Sequence, residues 1–136
     1  MPPDTPPGTP QDWLSRARGK LIVACSPLPE GGYWEDLCYM LQQASELALK
    51  AVYLRHGWRF AFTHDLGQLL DGLEKKGIVI PPDIQNADQL TVFATQTRYP
   101  GISPPVTQEH HAQAAVVADA VVRWAGAHVD AENDLV

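Results

Sequence analysis

Two short stretches of the sequence place charged, imidazole or phenol groups where they could act on a ligand. His64 and Asp65 adjoin at the start of a predicted helix, where a carboxylate can fix an imidazole tautomer and backbone N–H groups can bind an anion. The simpler interpretation is a helix cap. Arg98 and Tyr99 lie in a proline-fixed turn, where a guanidinium can bind phosphate and a tyrosine can stack on a base. Arg98 could equally tie the helix end to a neighbouring carbonyl or acid.

A third set of polar side chains follows one edge of the predicted central helix. Glu46, Lys50 and Tyr53 are left over once the periodic apolar positions are assigned to the core. The alternative is a solvated face, in which Glu46 and Lys50 form an i,i+4 pair contributing a few tenths of a kcal/mol. We predict a polar cleft that binds a phosphate-bearing ligand through Lys50, His64, Asp65, Arg98 and Tyr99, with Glu46 and Tyr53 as secondary members.

No pattern typical of a metal or cofactor site occurs in the sequence. His110 and His111 follow Glu109, but adjacent side chains on a helix point about 100° apart and do not readily share one ion. His56 and His128 have no companion at ligand spacing. The sequence also lacks a phosphate loop, a G-x-S-x-G motif and a Rossmann fingerprint. We therefore predict neither a metal nor a cofactor.

Length and charge limit the classes of function. A chain of 136 residues forms one domain that buries roughly two thirds of its unfolded surface. Its net charge of -6 disfavours non-specific binding to nucleic acid, which relies on basic side chains that release counterions from phosphates. Any contact with RNA or a nucleotide must therefore be local.

The cysteines and the absence of long apolar runs indicate the compartment. Cys25 and Cys38 fall on apolar helical positions without C-x-x-C spacing, so we predict core thiols in a reducing environment. No apolar run approaches the ~20 residues of a membrane span. The proline-rich first residues lack the basic and then apolar order of a signal peptide. We predict a cytoplasmic protein that does not enter a membrane.

Hydrophobic periodicity predicts helices and no strand. The longest pattern covers residues 33–54, where apolar side chains occupy more than half of the helix circumference. Because a four-helix monomer would not cover so wide an arc, we predict a homodimer. The other expected helices cover residues 10–25, 66–76, 82–98 and 107–129.

The ends of the chain differ in composition from the helical part. Residues 1–10 are rich in proline, which lacks a backbone donor, so we expect a disordered tail. Residues 11–129 carry all the helical patterns and form a single domain. For residues 130–136 we expect a frayed acidic tail.

Three motifs in order resemble the HEPN family (higher eukaryotes and prokaryotes nucleotide-binding). They are QQASELALKA in the central helix, THDL about ten residues later and RYP at residues 98–100. The resemblance covers about residues 10–125 and implies an all-α, up-and-down bundle of four to five helices. It also implies a stand-alone protein that partners a small nucleotidyltransferase in a toxin–antitoxin-like or nucleotide-binding system. The alternatives are a metal-independent ribonuclease and a dimerising scaffold without ligand.

One departure from the family pattern argues against RNA cleavage. The nuclease members carry an arginine and a histidine about four to six residues apart near the final helix. RNA cleavage without a metal needs both groups close together, because an imidazole must reach the 2′-hydroxyl while a cation stabilises the phosphorane. Here Arg98 and His110 have eleven residues, three of them proline, between them. Arg59 and His64 have the spacing but lie in the loop after the central helix. We therefore predict no catalytic residue and no efficient ribonuclease activity.

Overall fold

The structure is a computed structural model and describes residues 8–95, 97 and 99–131. Five α-helices and one 3-10 helix account for its regular elements, and no strand occurs within these residues. The all-α prediction is confirmed. The predicted tails fall mainly on residues 1–7 and 132–136, outside the described part of the chain. The elements are α1 (Pro10–Ala24), α2 (Trp34–Arg55), α3 (Leu66–Lys75), α4 (Pro82–Gln85), the 3-10 helix (Asn86–Ala94) and α5 (Gln108–Asp130).

Helix α1 begins where the sequence predicts. The Thr9 hydroxyl accepts a hydrogen bond from the backbone N–H of Asp12 at 3.2 Å, and Pro10 occupies the first helical position, where no donor is needed. Cys25 ends the helix and is exposed, so the prediction of a core thiol is wrong at this position. Cys38 is buried as predicted.

Helix α2 is the centre of the bundle, and α1, α3, the 3-10 helix and α5 all pack around it. Its predicted polar edge is covered as well, since Gln42, Lys50 and Tyr53 are buried. The solvated-face interpretation of Glu46 and Lys50 is therefore wrong, because side chains from the segment after α2 fold over this edge. The helices of one subunit also cover the apolar arc of α2. The homodimer remains a prediction, but this arc no longer supports it.

Helix α3 is held by its cap and by its leucines. The Asp65 carboxylate accepts a hydrogen bond from the backbone N–H of Gln68 at 3.2 Å, and Leu66, Leu69, Leu70 and Leu73 are all buried. Gly77, with φ of 92°, ends the helix in the left-handed region that glycine favours.

Residues 82–98 do not form the single α-helix predicted from their apolar spacing. Four residues are α-helical and nine continue as a 3-10 helix. Ile84, Ala87 and Leu90 recur at every third position and are buried. A helix with three residues per turn aligns such positions on one face. The apolar spacing here therefore fits the 3-10 form as well as an α-helix.

Helix α5 begins with a reciprocal cap between Thr107 and His110, each side chain bonding to the other residue's backbone N–H. Its buried side is made of small residues, which allow α1 and α2 to approach closely. Part of its surface is exposed, including Val116 at 72 %. None of the helices among the described residues has the length and apolarity needed to cross a membrane.

Candidate functional site

Three side chains from α2 and the following loop meet at the carboxylate of Glu46. The carboxylate lies 2.9 Å from Lys50 Nζ and 2.8 Å from His64 Nδ1, and Gln42 Nε2 donates to it at 3.2 Å. Gln42 Nε2 also donates to the backbone carbonyl of His64 at 3.0 Å. Residues 42, 46 and 50 repeat at i,i+4 and so share one face of α2. The loop after α2 brings His64 onto that face.

Glu46 remains ionised inside this cluster. Burial raises the pKa of its carboxyl, but the hydrogen bonds from Lys50 and His64 and the charge of Lys50 outweigh burial, so the net pKa is lowered. The carboxylate therefore balances the ammonium group of Lys50 across the physiological pH range.

Lys50 is not accessible to a phosphate. It is 7 % exposed, its ammonium group is bound to Glu46, and it lies 5.1 Å from the centre of the Phe60 ring. The same ring contacts Tyr53 edge-on at 6.0 Å and Trp13 at 5.6 Å. Lys50 thus forms part of the interior and joins α2 to the loop.

The other predicted members near this cluster also have structural contacts. The Asp65 carboxylate caps α3, as the simpler interpretation of the pair proposed. The Tyr53 hydroxyl donates to the backbone carbonyl of Leu69 at 2.5 Å and ties α2 to α3. His64 is the exception, since 73 % of its side chain is exposed while Nδ1 is held by Glu46.

Tyr99 lies elsewhere, beside a pocket of about 650 Å³. Its walls are formed by the start of α2, by Leu28 and Gly32 before it, and by residues among 97 and 99–106. Tyr33, Trp34 and Tyr99 contribute aromatic surface, and Glu35 and Asp36 contribute carboxylates. The described lining residues include no lysine, arginine or histidine.

The pocket and the Glu46 cluster are separate. Asp36 lies at the pocket and Glu46 lies ten residues further along α2, which places them about 15 Å apart along the axis at a rise of about 1.5 Å per residue. The single cleft that we predicted from sequence is therefore divided in two. Arg98 lies outside the described residues, so its approach to His64 and Lys50 stays a prediction.

The sequence alone did not point to the pocket walls contributed by α2. Tyr33 and Trp34 open the apolar pattern over residues 33–54, which directs attention to the core, but Tyr33 is 68 % exposed. The signal available in the sequence is the order Tyr-Trp-Glu-Asp directly after a glycine pair, which places two rings and two acids on one helical turn. Only the fold brings this turn against Tyr99.

The two adjacent histidines of α5 are engaged in the scaffold. His110 closes the cap of α5 through Nδ1, which accepts from the backbone N–H of Thr107 at 3.1 Å. His111 Nε2 lies 2.7 Å from the carbonyl oxygen of Ala24, and its ring contacts Trp34 at 5.0 Å. Within the described residues, no three His, Cys, Asp or Glu side chains are grouped to hold a metal ion.

Comparison with known proteins decides the family. The sequence profile of the HEPN domain matches residues 10–128, nearly the whole helical part of the chain. The chain belongs to the HEPN domain family. Among solved structures, the HEPN bundle is similar to TT1696 from Thermus thermophilus, with 30 % identity and a TM-score of 0.76. The alignment covers 88 % of this chain and 97 % of TT1696. No curated protein matches the sequence.

Family membership confirms the fold expected from QQASELALKA, THDL and RYP. Within this HEPN domain, the first of these motifs forms the core of α2 and carries Gln42, Glu46 and Lys50. The second motif supplies His64 and the cap of α3. Of the third, Tyr99 and the following proline lie at the pocket.

Proposed function

We propose that this HEPN protein is a binding module for a ligand that carries a nucleobase and a phosphate. The ligand occupies the pocket beside Tyr99. The protein does not cleave RNA. The observation that carries the nucleobase part of the proposal is the pocket itself, with its three aromatic side chains. Of its two carboxylates, that of Glu35 accepts a hydrogen bond from the backbone N–H of Val106 at 3.2 Å, which leaves Asp36 for the ligand. A volume of about 650 Å³ falls in the ordinary range of small-molecule sites.

The pocket walls have the chemistry for a nucleoside. Tyr33 and Tyr99 are 68 % and 56 % exposed, and stacking of one base on an aromatic ring contributes about 1–3 kcal/mol. Asp36 is an exposed carboxylate at the pocket that can accept hydrogen bonds from ribose hydroxyls or an exocyclic amine. For the phosphate we propose Arg98, which directly precedes Tyr99 in the sequence and carries a guanidinium.

Calorimetry with AMP tests this assignment, with ribose 5-phosphate as the ligand that lacks a base. Tyr99→Ala and Asp36→Asn should each weaken AMP binding by about tenfold or more, because each removes a direct contact. Phe62→Ala is the matched control, since Phe62 is fully exposed and does not line the pocket. Equal affinity for the two ligands, or an equal loss in Phe62→Ala, would contradict the assignment.

The partner in this proposal is a small nucleotidyltransferase, as the resemblance to stand-alone HEPN proteins implies. What supports it is the match of the HEPN domain to residues 10–128, the family in which such pairs are expected. Co-expression with a nucleotidyltransferase encoded by a neighbouring gene should yield a complex that survives size-exclusion chromatography. Separate elution of the two proteins at micromolar concentration would remove this part of the proposal.

One observation favours a metal-independent ribonuclease as the second candidate. Glu46 holds Nδ1 of His64 at 2.8 Å while most of the imidazole is exposed, an arrangement that fixes the tautomer of a general base. Arg59 is exposed on the same loop. Against it, Glu46 also neutralises Lys50, and the histidines at the start of α5 are engaged in caps and packing.

Incubation with single-stranded RNA in EDTA distinguishes the two candidates. We expect no cleavage above background and no growth arrest on expression. If the protein cut RNA and His64→Ala abolished the activity while Phe62→Ala kept it, the ribonuclease would replace the binding module as the proposed function.

A further inference from the structure

The two carboxylates of the pocket beside Tyr99 are in different situations. Glu35 is bound to the backbone N–H of Val106 at 3.2 Å and so ties α2 to the part of the wall that Val106 forms. Asp36 is exposed, and none of the described residues forms a hydrogen bond or ion pair with its side chain. The pocket therefore has one carboxylate that is held by the protein and one that is open to a ligand.

Asp36 lies within reach of a base that stacks on Tyr33. Its backbone N–H donates to the carbonyl oxygen of Tyr33 at 3.1 Å, which places the two residues one turn apart. Side chains three positions apart at a helix are neighbours, with about 5–6 Å between their Cβ atoms. The side chain of Tyr33 is mostly exposed. A base on this ring can therefore turn its polar edge to the Asp36 carboxylate.

An ionised carboxylate distinguishes two kinds of nucleobase, because its oxygens only accept hydrogen bonds. Adenine and cytosine carry an exocyclic amine, which donates, where hypoxanthine and uracil carry a carbonyl oxygen, which accepts. The described lining residues include no lysine, arginine or histidine, so no cationic donor among them compensates for Asp36. A carbonyl base would leave two acceptors facing each other without a proton between them.

Two donors of the pocket wall are already used within the protein. The Thr97 hydroxyl donates to the carbonyl oxygen of Val92 at 3.3 Å, and the Val106 N–H donates to Glu35. The Ser103 hydroxyl can donate or accept, so it favours neither kind of base. Asp36 differs from these groups because it is open to the ligand and can only accept.

We propose that the pocket takes a base whose exocyclic group is an amine, adenine or cytosine, and disfavours one with a carbonyl at that position, with Asp36 as the residue that distinguishes them. This inference rests on the proposed function, since it concerns the ligand of the same pocket. It adds the direction of the hydrogen bond, which aromatic stacking alone does not set, because every base has a face that stacks.

Calorimetry with AMP and IMP tests the preference, because IMP carries a carbonyl oxygen where AMP carries the amine. The wild-type protein should bind AMP about tenfold or more tightly than IMP. In Asp36→Asn the ratio of the two affinities should fall to about one, because an amide both donates and accepts. The variant should lose affinity for AMP and gain affinity for IMP. A side chain with a purely structural role would not produce a gain.

Two further variants separate the hydrogen bond of Asp36 from charge and from folding. Glu35→Gln removes a neighbouring charge but keeps an oxygen that can accept from Val106, so it should change both affinities by the same factor. Phe62→Ala lies outside the pocket lining and should change neither. Circular dichroism shows whether each variant folds.

The outcomes separate this inference from the proposed function. If AMP and IMP bound equally, and both more tightly than ribose 5-phosphate, the inference would be wrong and the proposed function would stand. If neither nucleotide bound, both would be wrong. A preference for AMP that persists in folded Asp36→Asn would show that another group recognises the base, and would also overturn the inference.

Discussion

Lys50 lies inside the protein only because Glu46 accompanies it. Taking either charge out of water alone costs several kcal/mol, and the 2.9 Å contact together with bonds from Gln42 and His64 offsets that cost. This cluster is therefore a structural feature that joins α2 to the loop carrying His64. The same contact leaves the lysine unable to bind an external anion.

Removing the charge of Glu46 should destabilise the protein strongly. Glu46→Gln leaves the Lys50 ammonium buried without a counterion, which lowers the free energy of unfolding by about 3 kcal/mol. Urea titration followed by circular dichroism measures this change. The control is Arg123→Gln, which breaks an i,i+4 pair that is 80 % and 46 % exposed and should cost less than about 0.5 kcal/mol. An equal loss of unfolding free energy in Glu46→Gln and Arg123→Gln would show that burial of the Glu46–Lys50 pair has no role.

The lowered pKa of Glu46 should appear in the acid stability of the protein. A carboxyl with a lower pKa in the folded than in the unfolded state stabilises fully above the unfolded value of 4.5, and this contribution is lost as the pH falls towards the folded pKa. The wild type should therefore lose more stability than Glu46→Gln between about pH 5 and pH 3. Urea midpoints of both proteins, measured across this pH range, give the two stability losses. Parallel plots of midpoint against pH would contradict the prediction.

At the level of the elements, the junction of α2 and α3 depends on a close approach. The Tyr53 hydroxyl reaches the Leu69 carbonyl across Gly72, where a side chain would meet the phenol oxygen first and then the ring carbon Cζ at 3.3 Å. Burial and the charge of Asp71 raise the pKa of Tyr53, so its hydroxyl keeps the proton that it donates. Gly72 lies inside α3 because the hydroxyl of Tyr53 on α2 occupies the space that a side chain would need.

A double-mutant cycle tests this junction. Tyr53→Phe should cost about 1 kcal/mol through the lost hydrogen bond, and Gly72→Ala should cost about 1–3 kcal/mol because the new methyl group collides with the hydroxyl. In the Tyr53→Phe background, Gly72→Ala should cost clearly less than in the wild type, since the hydroxyl oxygen is gone, only the tight contact with Cζ at 3.3 Å remains, and alanine favours helix by up to about 1 kcal/mol. Unfolding free energies of the four proteins give the coupling. Strict additivity would be inconsistent with this geometry.

The elements differ in how far the sequence predicts them. Thr9, Asp65 and Thr107 predict helix starts because capping depends on a residue and its next few neighbours. The 3-10 helix was missed because its apolar spacing also suits an α-helix. Apolar periodicity leaves the Lys50 edge outside the core, and the residue that buries it, Phe60, lies in the loop after α2, where periodicity gives no position.

The same limit applies to the candidate site. The sequence predicts that Glu46 and His64 share one polar cleft, but residue type and spacing do not give the direct 2.8 Å contact between them, which spans 18 positions. Tyr99 and Asp36 are 63 positions apart, yet both line the pocket. A sequence without an alignment supplies the candidates, but only tertiary contacts divide them between the Glu46 cluster and the pocket.

For the whole molecule, net charge determines how strongly it binds nucleic acid without sequence specificity. With a net charge of -6, the domain lacks the excess of basic side chains that drives non-specific binding. It should pass through a heparin column at ~0.15 M salt without retention. Retention that decreases with salt would show a concentrated basic surface and would favour the ribonuclease candidate.

The nine-residue 3-10 helix before Tyr99 is longer than an α-helix of the same nine residues would be. Such a helix rises about 2.0 Å per residue against about 1.5 Å in an α-helix, so rewinding Asn86–Ala94 into α-form would shorten the segment by roughly 4 Å. This segment leads from α4 to the pocket wall. The 3-10 form therefore lets the same nine residues reach further from α4 than an α-helix of equal length would.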